Sequence, residues 1–155
     1  NSLLAITVNA NPSVSINLPD TSICEGAFIS LSGNGALSYS WNNGISNGMS
    51  FSPTINSSYK VIGTDVNGCF DSAEVMISIN FNPTVSAGTD KSICEGEGVI
   101  LSGAGAASYS WDNGVVNGNS FVPVNSKTYV VTGTDIKGCT NTDTTVVYIP
   151  LIQFI

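Results

Sequence analysis

Ser38-Tyr39-Ser40-Trp41-Asn42-Asn43-Gly44 returns seventy residues later as Ser108-Tyr109-Ser110-Trp111-Asp112-Asn113-Gly114. In each copy Tyr and Trp alternate with Ser, the period-two pattern of a strand with one buried and one wet face. Tyr39, Trp41, Tyr109 and Trp111 therefore read as core anchors. The Asn-Gly that follows supplies the positive φ angles of a tight hairpin turn.

The offset extends well beyond this stretch. Cys24, Phe51, Pro53, Tyr59, Asp65 and Cys69 answer to Cys94, Phe121, Pro123, Tyr129, Asp135 and Cys139, and half of the positions in 20–79 are identical in 90–149 without a gap. Such a period defines the folding unit. Two repeats follow, 12–80 and 81–150, joined by a short linker ending at Pro83 that favours an extended rod over a flexible tether.

Within the first repeat, short apolar runs at 13–16, 22–24, 28–32, 37–41, 50–52 and 58–65 precede a last strand that turns Val75, Ile77 and Ile79 inward. The second repeat runs through the same elements with Val99, Leu101, Phe121, Tyr129, Val131, Val147 and Ile149. About seven short strands, punctuated by Gly, Pro and Asn-Gly, signal an all-β chain of two antiparallel β-sandwich domains. Helical periodicity is absent over any useful length.

The flanking pieces fit neither repeat. Residues 1–11 resemble 72–82, the last strand of the first repeat, and both run into Pro. They read as the last strand of a preceding domain or as a strand donated to another subunit. The apolar tail 151–155 reads as the start of a further element or a cover for an open sheet edge.

Charge and composition narrow the function. Four Lys stand against eleven acidic residues, for a net charge of −7, and histidine is absent. That balance argues against nucleic acid and anionic lipid, both of which require clustered cations. It also removes the commonest general base and metal ligand. No nucleophile–base pair or phosphate-cradling loop points to catalysis. No run is long enough for a transmembrane helix, and no signal peptide opens the chain, so it reads as a mature or internal segment. The uncharged polar surface, rich in Gly, Ser, Thr and Asn, suits an extracellular β-domain.

The four cysteines fall two per repeat, and spacing alone leaves three pairings open. A self-contained unit is expected to carry its own bridge, giving Cys24–Cys69 and Cys94–Cys139. Each would close a loop of about 45 residues, contributing ~4 kcal/mol in the chain-entropy model, in an oxidising compartment.

With Ile-Cys-Glu-Gly, Ser-Tyr-Ser-Trp, Asn-Gly-x-x-Asn-Gly, Ser-Phe-x-Pro and Gly-Thr-Asp-x-x-Gly-Cys present in order in both copies, the chain resembles the tandem immunoglobulin-like (PKD-like) repeats of large Bacteroidetes surface proteins. These include gliding-type adhesins and cargo of the type IX secretion system. The resemblance covers nearly the whole chain and departs at the apolar ends. It implies an extracellular or cell-surface, non-catalytic repeat of a stalk, filament or adhesin, partnered by neighbouring repeats or subunits in a fibre. It also makes Ser72 and Thr144, each following an Asp, candidate O-glycosylation positions. Asn56-Ser57-Ser58 matches the eukaryotic N-glycosylation pattern.

Two further readings compete with a purely structural role. Trp41 and Trp111 are candidate sugar-stacking platforms, which would make the chain a carbohydrate-binding or accessory module of a secreted enzyme, with surface glycans as partners. If Cys24 bonds Cys69, Glu25 is drawn towards Asp65, near Asp20. Glu95, Asp135 and Asp90, with Glu97, form the matching set. Such carboxylates are candidate calcium ligands, against the alternative of an acidic edge that discourages aggregation or of turn caps at Asp65 and Asp135. No other cofactor is expected.

Overall fold

The computed structural model describes residues 6–150. The chain divides into two compact units, Asn1–Asn80 and Phe81–Ile155. The expectations for residues 1–5 and 151–155 lie outside the described residues. Residues 6–11 form no strand, and Ile6 and Val8 are exposed.

The first unit contains β1 (Ser15–Ile16), β2 (Thr21–Cys24), β3 (Ile29–Ser30), β4 (Gly33–Asn34), β5 (Ser38–Trp41), β6 (Ser50–Phe51), β7 (Ser57–Thr64) and β8 (Phe70–Asn80). One sheet has the order β2-β8-β7-β5. In it β5, β7 and β8 are antiparallel, while β2 runs parallel to β8 with Thr21 opposite Ile77 and Cys24 opposite Asn80. Facing it are the pairs β1–β4 and β3–β6. Ile29 and Leu31 from that side meet Tyr59, Val75, Ile77 and Ile79 from the four-stranded sheet. Period-two alternation along β7 and β8 produces this: Tyr59, Val61, Val75, Ile77 and Ile79 point in and their neighbours point out.

The second unit contains β9 (Lys91–Ser92), β10 (Val99–Ile100), β11 (Ser108–Trp111), β12 (Ser120–Phe121), β13 (Lys127–Thr134) and β14 (Thr140–Tyr148). Its large sheet has the equivalent order β11-β13-β14-β9, with β9 parallel to β14. The pair β10–β12 and the bridge Ser86–Ala104 face it. Val99 and Leu101 pack on Trp111, Tyr129, Val131 and Val147. Two sheets around one core, with a parallel strand added beside the last antiparallel one, make each unit an immunoglobulin-like β-sandwich. Taking β3 and β4 as one interrupted run, the first unit has about seven strands, as its sequence pattern indicates.

Two expectations need correction. Asn43 and Gly44 do adopt φ of 57° and 70°, and Asn113 and Gly114 adopt 53° and 74°, but this turn closes no hairpin. β5 pairs with β7, while the chain beyond the turn crosses to the opposite sheet, where Phe51 stands opposite Ile29. The aromatic anchors are also unequal. Trp111 is buried, whereas Trp41, Tyr39 and Tyr109 are half-buried at the rim of their cores. The fully enclosed rings are Tyr59 and Tyr129, each 5.1–5.3 Å from a Phe ring, Phe51 and Phe121 respectively.

What holds Tyr39 and Tyr109 is glycine. Each ring lies flat against a backbone without a side chain: a Cβ on Gly33 would sit 2.5 Å from Tyr39 Cδ1, and one on Gly103 would sit 2.4 Å from Tyr109 Cδ1. Each hydroxyl then folds back, accepting from the backbone N–H and donating to the carbonyl of Ala36 or Ala106 at 2.7–2.8 Å. Each Trp indole N–H donates to the carboxamide of Asn47 or Asn117, which also accepts from the N–H of Gly33 or Gly103. One asparagine thus ties the crossing turn to both sheets.

The units differ in how they fasten their first segment. Residues 12–20 are one longer than their counterparts 83–90. In the longer version the Asn17 carboxamide bonds Ser30 and Ser32 across β1–β4. In the shorter one the Asp143 carboxylate accepts from the Ala87 N–H at 2.8 Å. That bond, with one from the Thr144 N–H, holds Asp143 below the ordinary carboxylate value of 3.8.

Each unit carries one Trp, so fluorescence reports them separately. Gly103→Ala should lower the stability of the second unit by about 1–3 kcal/mol through overpacking against Tyr109, seen as an earlier urea transition of Trp111 in a Trp41→Phe background. An unmoved transition would show that the ring gives way. Asp143 contributes a stability that is complete above 3.8 and lost as pH falls through its lowered folded value. Asp143→Asn should therefore flatten the acid limb of the Trp111 transition while leaving the Trp41 transition unaltered.

Candidate functional site

Chemistry in this molecule collects at the two ends of each sandwich. At one end of the first unit, β7 passes into β8 through Asp65-Val66-Asn67-Gly68-Cys69. The Asp65 carboxylate accepts from the N–H groups of Asn67 (2.8 Å) and Cys69 (2.9 Å), and its own N–H donates to the Cys69 carbonyl (2.9 Å). Gly68 takes φ of 82°, open to glycine without strain. Asp135, Lys137, Gly138 and Cys139 repeat this geometry in the second unit at the same distances. Asp65 and Asp135 are turn caps that hold a cysteine in place.

At the opposite end of the first unit, β2 finishes at Cys24. The Ala27 N–H returns to the Cys24 carbonyl (3.0 Å), the Glu25 N–H donates to the Asn80 carbonyl (2.8 Å), and Gly26 has φ of 80°. In the second unit Glu97 closes the equivalent turn, donating its N–H to the Cys94 carbonyl and accepting the Cys94 N–H on its carboxylate at 2.9 Å. Each unit therefore displays one cysteine at each end, both on backbone locked by hydrogen bonds.

This placement overturns the expected bridges. Cys24 stands opposite the last residue of β8, and Cys69 immediately precedes the first. Eleven residues of strand at ~3.3 Å each separate them by roughly 35 Å, whereas a disulfide tolerates a Cα separation of no more than about 7 Å. Cys94 and Cys139 are related in the same way along β14. Neither within-repeat bond forms: Cys24 and Cys139 are disulfide-bonded, while Cys69 and Cys94 carry free thiols.

The carboxylate clusters dissolve for the same reason. Asp20 and Glu25 lie toward the Asn80 end, and Asp65 at the other. Asp20 accepts from the Met76 N–H and Asp90 from the Val146 N–H, both at 2.8 Å, fastening the start of the parallel strand to its neighbour. Glu95 is exposed beside Cys94. Among the described residues no three His, Cys, Asp or Glu side chains converge.

The outward faces of the large sheets have diverged. The first unit pairs Lys60 with Glu74 and Ile62 with Ser72, and Met76 lies exposed beside them; the second pairs Val130 with Thr144 and Thr132 with Thr142. Ser72 and Thr144 are exposed on these faces, whereas the Asn56 carboxamide accepts from the Ile79 N–H. Trp41 borders a shallow depression of about 220 Å³ with Ser40, Asn42, Lys60 and Ile62. The sequence gives no sign of the cysteine placement or of the Asn47 and Asn117 bridges. Both depend on strand partners distant along the chain.

No family model and no curated protein matches the chain. Among solved structures, the crystal structure of titin domains Z1Z2 in complex with telethonin is 13% identical, with a TM-score of 0.33, covering 92% of this chain and 98% of that one. The crystal structure of DIP-gamma Ig1+Ig2 is 11% identical, with a TM-score of 0.35, covering 94% of this chain and all of that one. Neither likeness bears on function.

Asp65→Ala removes two acceptor bonds at the turn. It should cost the first unit about 1–3 kcal/mol and speed hydrogen exchange at the Asn67 and Cys69 amides. Unaltered exchange would mean that backbone bonds alone hold the turn.

Proposed function

We propose that this chain is a non-catalytic extracellular repeat that builds the stalk or filament of a bacterial surface adhesin, of the kind its sequence resembles in Bacteroidetes. One observation carries the reading. Many residues identical between the units fill the core, make the crossing turn or lock the cysteine-bearing ends, while the outward faces of β7 and β8 differ in chemistry from those of β13 and β14. A module kept for ligand chemistry would repeat a surface constellation; one kept for its mechanical form repeats its core and its ends. Immunoglobulin-like sandwiches serve as structural or binding modules on unrelated proteins, and among the described residues no helix is long and apolar enough to cross a membrane. Disulfide-bonded Cys24 and Cys139 accord with an oxidising compartment. The partners in this reading are neighbouring repeats or subunits in a fibre, and Ser72 and Thr144 are open to O-glycosylation.

The half-exposed Trp41 beside its depression supports a second reading, a carbohydrate-binding module. Both are tested on the natural protein and its source cells. Antibody against this chain should label filaments outside intact cells, and a cytosolic signal removes the stalk reading. Glycan-array binding that Trp41→Ala abolishes, with melting unaltered, would instead establish the carbohydrate module.

A further inference from the structure

Six asparagines precede a glycine: Asn34, Asn43, Asn47, Asn67, Asn113 and Asn117. A glycine amide closes most freely on the side chain before it, because no Cβ obstructs the backbone. At five of these sites the fold ties down what that closure needs. Asn34 is paired with Ser15 in β4, and Gly35 abuts the Ser13 carbonyl. The Gly48 and Gly118 N–H groups donate to the carbonyls of Leu31 and Leu101 at 2.8 and 2.9 Å. The carboxamide oxygens of Asn47 and Asn117 are already taken by an indole and a glycine N–H. Gly68 donates to the Asp65 carbonyl at 3.2 Å. Asn43 lies in a 3-10 turn, Asn42–Gly44, whose i→i+3 bonds engage the Gly44 N–H, and its Nδ2 donates to Ser57 Oγ and the Ser58 carbonyl.

Asn113-Gly114 is the exception. Among the described residues the second unit winds no 3-10 turn here, and the Gly114 N–H has no acceptor. Lys127 stands where the first unit has Ser57, and its Nζ donates to the Asn113 carboxamide oxygen. All three residues are exposed.

We propose that Asn113 is a site of spontaneous backbone chemistry, converting to aspartate and isoaspartate through a succinimide, with Lys127 stabilising the charge that develops. The Gly114 nitrogen gives its proton to water or hydroxide and attacks Asn113 Cγ. A C–N bond forms, the Cγ–Nδ2 bond breaks, and the carboxamide nitrogen leaves as ammonia. Water then opens the ring at either carbonyl, and no electrons are exchanged with any partner. As Cγ becomes tetrahedral, negative charge collects on Oδ1, where the Lys127 ammonium already donates; a donor aimed at developing charge lowers the barrier. Attack requires rotation about Asn113 out of its left-handed turn, φ 53°. An N–H with an acceptor must first lose that bond, which retards the other sites; Gly114 has none to lose. Either product places a carboxylate beside Lys127, and isoaspartate also adds a methylene to the backbone of the crossing turn.

The site stands on this turn alone and is independent of the stalk reading. Its test incubates the purified whole chain in warm, mildly alkaline buffer and follows all six Asn-Gly peptides by mass spectrometry, with isoaspartate read by methyltransferase labelling. Asn113 should convert faster than each of the other five by about tenfold or more, equivalent to ~1.4 kcal/mol in barrier. In denaturant the six rates should converge, since the dipeptide is the same. Lys127→Ser, which copies the first unit, should slow Asn113 by about tenfold in the folded chain and leave its rate in denaturant unaltered. Should that variant misfold, the ranking within the unmutated chain decides. Asn113 converting no faster than Asn43 overturns the proposal, as does a folded-state rate indifferent to Lys127. A peptide that loses ammonia and stays cross-linked between Asn113 and Lys127 also overturns it, because the lysine amine and not the Gly114 amide would then be the nucleophile.

Discussion

In each unit a short strand lies parallel to the last long strand, Thr21–Cys24 beside Phe70–Asn80 and Lys91–Ser92 beside Thr140–Tyr148. A carboxylate fixes the start of each: Asp20 takes the Met76 N–H and Asp90 the Val146 N–H. Parallel pairing sends the strand toward the same end as its neighbour, so a cysteine at its finish is carried the full length of the sandwich away from one at the neighbour's beginning. An antiparallel arrangement would bring the same residues together. The direction of one short strand therefore decides which thiols can bond within a unit, which carboxylates can share a site, and what each end presents.

Around that frame, polar side chains do much of the fastening. Asn47 and Asn117 each join a Trp indole to a Gly N–H, and Tyr39 and Tyr109 return their hydroxyls to the backbone three residues away. Among the described residues no buried side-chain polar atom lacks a partner. With so few charges and cores this small, directional bonds at the rim specify where the sheets cross, while burial of Leu31, Ile77, Leu101 and Val147 drives their packing. The two units reach the same architecture with different fasteners for their first segment, Asn17 in one and Asp143 in the other, and this follows the one-residue difference in length before Asp20 and Asp90.

Much of this was legible in the linear chain, and for a local reason. Side-chain alternation along a strand is fixed by the pleat, so Tyr59, Val61, Val75, Ile77 and Ile79, and Tyr129, Val131 and Val147 in the second repeat, declare themselves core residues without knowledge of any partner. Asn43-Gly44 and Asn113-Gly114 declare positive φ because few other residues tolerate it. The repeat itself is visible as a period of seventy.

Strand partnership is set over long distances, and there the tertiary structure decides. That β5 joins β7 while the chain after Asn43-Gly44 crosses to the other sheet depends on hydrogen bonds between residues far apart in sequence. The different burial of Trp41 and Trp111, identical in their local motif, depends on the packing around each. Repetition suggested that each unit owns its bridge; parallel register removed that possibility by placing Cys24 opposite Asn80 and Cys69 before Phe70. Local sequence determines which way each side chain points and where the chain bends. Only the assembled sheet determines which points meet, because a hydrogen-bonded register, unlike alternation, belongs to two strands at once.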